Sequence, residues 1–262
     1  MTTETEEKLA ASLSAETAEI LPFLPYLLQD FWELGSDPCV IVSLIKKYIK
    51  VSNDTKILDL ACGKGAASVK IAQELKVKVK GIDLISEFIG NAKEKALENN
   101  IGSFCDFIVE DVNEAVKTEK NYDCVIFGAA GTDVLGGPRQ ALEKLKSTVK
   151  QGGYIIIDEG YISDESEREK LKYNSEAYFT FKYWTELFDE AGLELVEAVS
   201  ENNENESENN PGIVEITARA NELSTKYPNK RALFEGYVQN QQNEYDDIDN
   251  ILVCVTWFLR KE

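Results

Sequence analysis

The chain has 262 residues, of which 43% are hydrophobic, and its formal net charge is −19. This length and hydrophobic content suit one large domain or a core with an insertion. The charge argues against a nucleic-acid partner, because affinity for nucleic acids comes from Lys and Arg side chains that neutralise phosphates.

The chain before residue 56 predicts a helical N-terminus. Residues 1–35 predict one or two helices, because apolar side chains between Ile20 and Trp32 form a broad face that two prolines interrupt. The pair Asp37-Pro38 predicts the start of a further helix, with Asp as N-cap and Pro at the first helical position.

Strands and helices alternate from residue 56 onward, which predicts a parallel sheet with helices on both faces. The predicted strands are 56–61, 77–83, 105–110, 122–127 and 154–159. The predicted helices between them are about 66–75, 86–99, 113–117 and 138–149.

The pattern changes after Gly160. The polar segments 161–176 and 201–210 predict loops, the first with room for a short helix. The remaining elements are a helix over 180–191, a strand over 193–199, a helical region over 212–247 broken at Pro228 and a strand over 251–259.

A turn with two glycines follows the first strand of the alternating region. Gly63 and Gly65 carry no Cβ atom, so a ligand can lie against bare backbone at a helix N-terminus. Asp83 closes the second strand, where a carboxylate can accept hydrogen bonds from both hydroxyls of a ribose. Together these residues predict a nucleoside-bearing cofactor at the carboxyl end of the sheet.

Two residues bear on which cofactor this is. A dinucleotide-binding turn favours Gly or Ala where this chain has Ser68. Asp59, inside the first strand, would repel a pyrophosphate and would attract a cofactor that carries an amino group and a sulfonium.

The segment Leu58-Asp-Leu-Ala-Cys-Gly-Lys-Gly65 resembles the first motif of class I S-adenosylmethionine (SAM) dependent methyltransferases, of the small-molecule type. This resemblance implies an α/β fold with a Rossmann-like, seven-stranded, mostly parallel sheet, helices on both faces, an N-terminal helical cap and a helical insertion before the last strand. It also implies an antiparallel seventh strand (251–259) inserted between the fifth and the sixth (193–199). The implied domains are a cap (1–50), the SAM-binding domain (51–200 and 251–262) and the insertion (201–250), and residues 1–50, 161–180 and 201–250 would form a substrate-selecting lid.

The same resemblance implies a set of cofactor-binding residues. Asp83 would bind the ribose, Leu84 would pack on the adenine, and Asp111 with the Val112 amide would meet the adenine edge. The full expected set is Trp32, Asp59, Ala61, Gly63, Gly65, Asp83, Leu84, Asp111, Val112, Phe127 and Gly128.

Catalytic groups are harder to assign from the sequence. Asp158, Glu159 and Tyr161 come at and after the end of the fifth strand, where we expect the acceptor pocket. Metal-dependent methyltransferases of the catechol type carry an Asp after the fourth strand. Here that position is Phe127 or Gly128, so no catalytic metal is expected.

Histidine is absent, which excludes Ser-His-Asp triads, Cys-His dyads and His-ligated zinc. The five cysteines are widely spaced and indicate reduced thiols. No apolar run approaches the roughly 20 residues that span a bilayer, so we expect a cytoplasmic protein without a membrane partner.

The leading hypothesis is a SAM-dependent methyltransferase that transfers a methyl group to a small-molecule acceptor by in-line displacement and releases S-adenosyl-L-homocysteine. One alternative is an NAD(P)-dependent oxidoreductase, which Ser68 and Asp59 disfavour. Another is a non-catalytic adaptor that keeps the fold and binds a protein.

Overall fold

The computed structural model describes residues 4–200 and 211–262. The α-helices in these ranges are α1 Glu4–Ser12, α2 Leu24–Leu27, α3 Pro38–Tyr48, α4 Ala66–Leu75, α5 Ser86–Glu98, α6 Val112–Thr118, α7 Pro138–Thr148, α8 Phe181–Glu190, α9 Pro211–Lys226 and α10 Arg231–Asn250. The strands are β1 Lys56–Leu60, β2 Lys78–Asp83, β3 Cys105–Val109, β4 Tyr122–Phe127, β5 Val149–Ile162, β6 Phe179–Thr180, β7 Leu193–Ser200 and β8 Leu252–Lys261.

Most predicted elements are present, with bounds that shift by one or two residues. The start of α3 is as predicted, because the Asp37 carboxylate accepts a hydrogen bond from the Cys39 amide at 2.6 Å. The predicted polar loop over 201–210 lies outside the described residues.

The prediction for the fifth strand was too short. β5 begins at Val149, which pairs with Tyr122 of β4. The register of this pairing then shifts, so that Cys124 pairs with Tyr154. Gly152, which has a left-handed φ of +72°, lies within this irregular stretch. A bulge interrupts the alternation of apolar and polar residues and so resembles a loop in the sequence. For this reason the fifth strand was predicted to begin at residue 154.

The sheet has the strand order β3-β2-β1-β4-β5-β8-β7, and β6 adds a two-residue pairing to β5. β1, β2, β3, β4 and β5 pair in parallel. The predicted Rossmann-like fold class is therefore confirmed. The last strand, β8, lies between β5 and β7, and β6 is an additional short strand. The order reverses between β1 and β4, and ligands of such sheets bind at the carboxyl ends of the strands around that point.

The chain forms two compact units. One unit comprises residues 32–159, 182–199 and 255–262, and contains most of the sheet. Its core is apolar and fully buried around Ile57, Val69 and Ile126, which lie on β1, α4 and β4. We call it the sheet unit.

The other unit comprises, among the described residues, 4–31, 160–181, 200 and 211–254, and we call it the helical unit. Its core includes Phe23, whose ring meets those of Tyr227 and Phe234 edge-on at centroid distances of 5.4 and 5.0 Å. The units divide the chain differently from the expected domain ranges, since residues 32–50 group with the sheet and 160–181 with the helices. No helix in the described part of the chain is both long and apolar enough to cross a membrane.

Candidate functional site

The glycine turn joins the end of β1 to the start of α4, and the carboxylate of Asp83 holds it in place. Asp83 Oδ2 accepts a hydrogen bond from the Gly63 amide at 2.9 Å, and Oδ1 accepts one from the Ile85 amide at 2.8 Å. Burial raises the pKa of Asp83, and these two amide donors oppose the rise. The predicted ribose-binding carboxylate thus also anchors the turn to the end of β2.

The two glycines of the turn have different surroundings. Both have positive φ, +52° at Gly63 and +76° at Gly65. A Cβ atom on Gly65 would lie 2.7 Å from the Ala92 Cβ and 3.0 Å from the Phe107 ring. Gly65 is therefore required by packing inside the protein, whereas a Cβ atom on Gly63 would meet only the flexible end of Leu34, at 3.2 Å.

Asp59 lies buried in β1 and pairs with a serine of the next helix. Its Oδ2 accepts a hydrogen bond from the Ser68 hydroxyl at 2.6 Å. Burial raises the pKa of Asp59 to about 7, with further contributions from the neighbouring carboxylates of Asp83 and Asp158. Ser68, which does not fit the dinucleotide pattern, is the residue that hydrogen-bonds this carboxyl group.

The segment 32–36 lies on the glycine turn. The Trp32 indole Nε1 donates to the Lys64 carbonyl at 3.1 Å, and the Leu34 side chain faces Gly63. Trp32 was predicted to lie near the cofactor's methionine end, and the structure brings it to the glycine turn. Ala61, at the end of β1, has a left-handed φ of +55°, as the start of the turn requires.

The residues predicted to meet the adenine follow β2 and β3. Leu84 is half-buried and Val112 is buried at the first position of α6. Asp111 is the N-cap of α6 and accepts a hydrogen bond from the Asn113 amide at 2.8 Å. The Glu110 amide donates to the Asp83 carbonyl at 3.1 Å, which links this loop to the end of β2.

The carboxyl ends of β4 and β5 bring Gly128 next to Asp158. A Cβ atom on Gly128 would lie 2.1 Å from Ser36 Oγ and 3.2 Å from Asp158 Oδ2. Phe127, just before it, is buried. Both carboxylate oxygens of Asp158 and the Ser36 hydroxyl are buried and make no hydrogen bond of standard geometry in the described part of the chain. Burial raises the pKa of Asp158, but the hydroxyl groups of Ser36 and Thr256 lie close enough to this carboxyl group to oppose the rise.

Glu159 is already engaged by the protein. Its Oε1 accepts a hydrogen bond from the Thr132 amide at 2.8 Å. Burial raises its pKa to about 7, and the nearby Asp133 and Asp158 carboxylates add to the rise. Tyr161 belongs to the helical unit, where its ring meets Phe181 edge-on at 5.5 Å. The structure therefore groups Asp158 and Glu159 in the sheet unit with Asp59 and Asp83, and leaves Tyr161 outside that unit.

Sequence reasoning missed four contributors to this region: Ser36, Leu34, Lys64 and Ser68. Lys64 is buried inside the turn, with its ammonium group 5.6 Å from the centre of the Phe88 ring. Ser68 could have been suspected from its place one turn into α4, facing back toward β1. Ser36 and Leu34 gave no signal, because nothing local shows that segment 32–36 lies on strands more than 20 residues later.

Comparisons with known proteins agree with this geometry. Residues 51–215 match the family model described as a methyltransferase domain. The uncharacterized protein YjhP of Escherichia coli K12 is 28% identical over 159 residues, which cover 58% of this chain and 63% of YjhP. An uncharacterized RNA methyltransferase of Clostridium tetani is 36% identical over 86 residues, which cover 33% of this chain and 18% of that protein. The chain thus spans less than two thirds of the length of these curated relatives.

Two solved structures share the fold. A SAM-dependent methyltransferase from Geobacter sulfurreducens, in complex with S-adenosyl-L-homocysteine, superposes with a TM-score of 0.74 at 17% identity, covering 92% of this chain and 98% of that one. YjhP superposes with a TM-score of 0.70 at 19% identity, covering 98% of this chain and 100% of that one.

The family match includes β1, the glycine turn, β2 and the ends of β4 and β5, which carry the carboxyl groups described above. It confirms the resemblance to methyltransferases, which the oxidoreductase alternative does not share. Because the match covers more than half of the chain, the chain belongs to the methyltransferase domain family.

Proposed function

We propose that this methyltransferase transfers a methyl group to a small-molecule acceptor by in-line displacement. The observation that carries the proposal is the set of buried carboxyl groups at the carboxyl ends of the strands. Asp59, Asp83, Asp158 and Glu159 lie there within one unit, and both oxygens of Asp158 are buried beside the side chains of Ser36 and Thr256. Such a site favours ligands with positive charge or with hydrogen-bond donors.

The residues present fit the cofactor. The left-handed backbone at Gly63 leaves room beside the turn once the Leu34 side chain moves, and the buried carboxyl groups suit a sulfonium and an ammonium. We assign the ribose to Asp83, the adenine to Leu84, Asp111 and Val112, and the methionine end to the glycine turn. When bound, SAM supplies an electrophilic methyl group on a sulfonium leaving group.

Asp158 is the residue that we assign to the acceptor. Its oxygens can accept a hydrogen bond from the acceptor's N–H or O–H and so orient the nucleophile, and orientation supplies much of the rate in such a displacement. Where the acceptor must lose a proton, a carboxylate with a raised pKa is suited to receive it. Glu159, next to Asp158, would support this role, because its pKa is also raised. The hydrogen bond from the Thr132 amide holds its carboxyl group in place.

A small molecule is favoured over nucleic acid by charge. The net charge is −19, and the carboxyl groups at the site would repel phosphates. The C. tetani RNA methyltransferase aligns over only 18% of its own length, which leaves most of that protein without a counterpart here. We propose that the helical cap (1–50) and the insertion (201–250) select the acceptor.

Two experiments test this proposal. Isothermal titration should show saturable binding of S-adenosyl-L-homocysteine and none of NAD, and NAD binding alone would overturn the cofactor assignment. Methyl-labelled SAM should then be incubated with three separate pools from cell extract: desalted small molecules, RNA and protein. Label is expected in the small-molecule pool, and the Asp158→Asn variant should transfer it more slowly. Label in RNA or in protein would contradict the acceptor class.

A further inference from the structure

A cleft of about 520 Å³ lies within the helical unit. Its walls are Asp30 and Phe31, which follow α2, and Val214, Glu215, Ala218 and Arg219 of α9. Cavities that bind small molecules commonly measure between about 300 and 1,000 Å³. The cleft therefore has the size of a small-molecule site.

One wall of the cleft is apolar. Val214 is 61% exposed, although it is a large aliphatic residue on the first turn of a sixteen-residue helix. Ala218, one turn further along α9, is also exposed, and Phe31 lines the cleft with them. Exposed apolar side chains in a concave surface can contact the apolar part of a ligand.

Arg219, a cationic residue that lines the cleft, is already paired with carboxylates of the protein. Arg219 donates from Nε to Asp30 Oδ2 at 2.7 Å and from Nη2 to Asp30 Oδ1 at 3.0 Å. Its Nη1 donates to both oxygens of Glu222, at 3.0 and 3.1 Å. This guanidinium is therefore neutralised by two carboxylates, and the cleft gives an anion little attraction.

Glu215 differs from the other charged residues of the cleft. Its Oε2 is buried and accepts no hydrogen bond from the described residues. The Glu215 carboxylate also lines the cleft, where it can pair with a ligand that carries a positive charge and N–H donors.

We propose that this cleft binds an amphipathic amine. Its ammonium group would pair with the carboxylate of Glu215, which lines the cleft, and its aliphatic or aromatic part would lie against Val214, Ala218 and Phe31. The cleft is lined by residues of the cap (1–50) and of the insertion (201–250), so this inference rests on the proposed role of those ranges in selecting the acceptor, and it names the class of ligand that they bind.

The test uses three probes of equal chain length on the full chain without cofactor, in physiological salt: hexylamine, hexanol and hexanoate. Hexylamine is expected to bind saturably and at least about tenfold more tightly than hexanoate, as a charge-assisted hydrogen bond allows. Glu215→Gln should abolish most of that preference. Ala218→Leu, which fills the cleft with a good helix former, should weaken all three probes.

Glu235→Gln is the matched control, because it removes the same charge from an exposed glutamate of α10 outside the cleft. It should leave the preference for hexylamine unchanged, which separates the site from general attraction to an acidic protein. Circular dichroism of each variant checks that it is folded. The proposal is overturned by no saturable binding of any probe, by hexanoate binding as tightly as hexylamine, or by equal effects of Glu215→Gln and Glu235→Gln. S-adenosyl-L-homocysteine affinity, measured in parallel, tests the proposed function separately.

Discussion

The carboxyl group of Asp59 should make the stability of the protein depend on pH. Burial raises its pKa in the folded state to about 7, whereas an unfolded Asp has a pKa of about 3.9. Between these values the folded state binds the proton more tightly than the unfolded state does. The free energy of unfolding should therefore fall as the pH rises from about 4 to about 7, and this contribution should level off above that. Glu159, with a pKa of about 7, acts in the same direction.

We expect Asp59→Asn to flatten this pH dependence by up to about 4 kcal/mol between pH 4 and pH 8. Ser68 can still donate to the amide oxygen, so the local hydrogen bond survives. The measurement is urea unfolding at several pH values, with Asp54→Asn as the control at an exposed carboxylate. A variant Asp59→Asn that keeps the wild-type slope would show that Asp59 is ionised throughout this range.

Asp83 should matter for both stability and cofactor affinity. Asp83→Ala removes the acceptor of the Gly63 and Ile85 amides, so the turn loses its attachment to β2. If the same carboxylate binds the ribose, affinity for S-adenosyl-L-homocysteine should fall about ten- to a hundredfold, since charge-assisted hydrogen bonds contribute roughly 1.5–3 kcal/mol. Titration calorimetry and thermal unfolding measure the two effects. Unchanged affinity in a folded variant would restrict Asp83 to its role in the turn.

At the scale of elements, the glycine turn packs α4 against α5 and β3. The Cβ atom of Gly65→Ala would meet Ala92 on α5 and Phe107 on β3, and alanine would also be held at a φ of +76°. We expect a loss of about 2–4 kcal/mol in the free energy of unfolding, from the left-handed backbone and from overpacking. Loss of cofactor binding in Gly65 variants would then follow from a damaged fold, and could not by itself identify a ligand contact.

Two other glycines serve as controls for this prediction. Gly63→Ala meets only the end of the Leu34 side chain and should cost less stability than Gly65→Ala. Gly90→Ala on α5 meets nothing within 4 Å and should stabilise the helix by roughly 0.5–1 kcal/mol. Equal stability of Gly65→Ala and Gly63→Ala would contradict this account of the turn.

Segment 32–36 gives a fluorescence test of the cofactor's place. The chain has three tryptophans, and Trp184 and Trp257 are buried. Trp32, bonded to the Lys64 carbonyl, is the tryptophan on the glycine turn. We expect S-adenosyl-L-homocysteine to change the emission of the wild type and of Trp184→Phe, and to have little effect on Trp32→Phe. A full signal in Trp32→Phe would place the cofactor away from the segment.

Local patterns predicted the fold because each strand and helix of the sheet unit carries its own signal. Asp37-Pro38 fixes the start of α3, and the glycine turn fixes the junction of β1 and α4. Long-range contacts carried no such signal, as the bond from Ser68 to Asp59 and the approach of Ser36 to Gly128 illustrate. The grouping of segments into two compact units likewise has no local signal, because periodicity describes the faces of an element and leaves its packing partner open.

At the scale of the whole molecule, the excess of acidic residues dominates. The chain has 47 acidic and 28 basic residues, and most ion pairs in the described ranges have at least one exposed side chain. Exposed pairs contribute little stability, so they do not offset the repulsion among the remaining negative charges. Self-repulsion of this kind weakens when salt shortens the distance over which charges act, from about 30 Å at 0.01 M to about 8 Å at 0.15 M.

We therefore expect the melting temperature to rise by several degrees between low and physiological concentrations of sodium chloride. A triple variant, Asp54→Asn with Glu94→Gln and Glu169→Gln, removes three exposed negative charges and should melt higher than the wild type at low salt. Its response to salt should be smaller, because less repulsion is left to screen. Differential scanning calorimetry at both salt concentrations measures the two quantities together. A melting temperature that falls as salt is added would mean that the ion pairs outweigh the repulsion. The three substitutions should then leave the melting temperature at low salt no higher than that of the wild type.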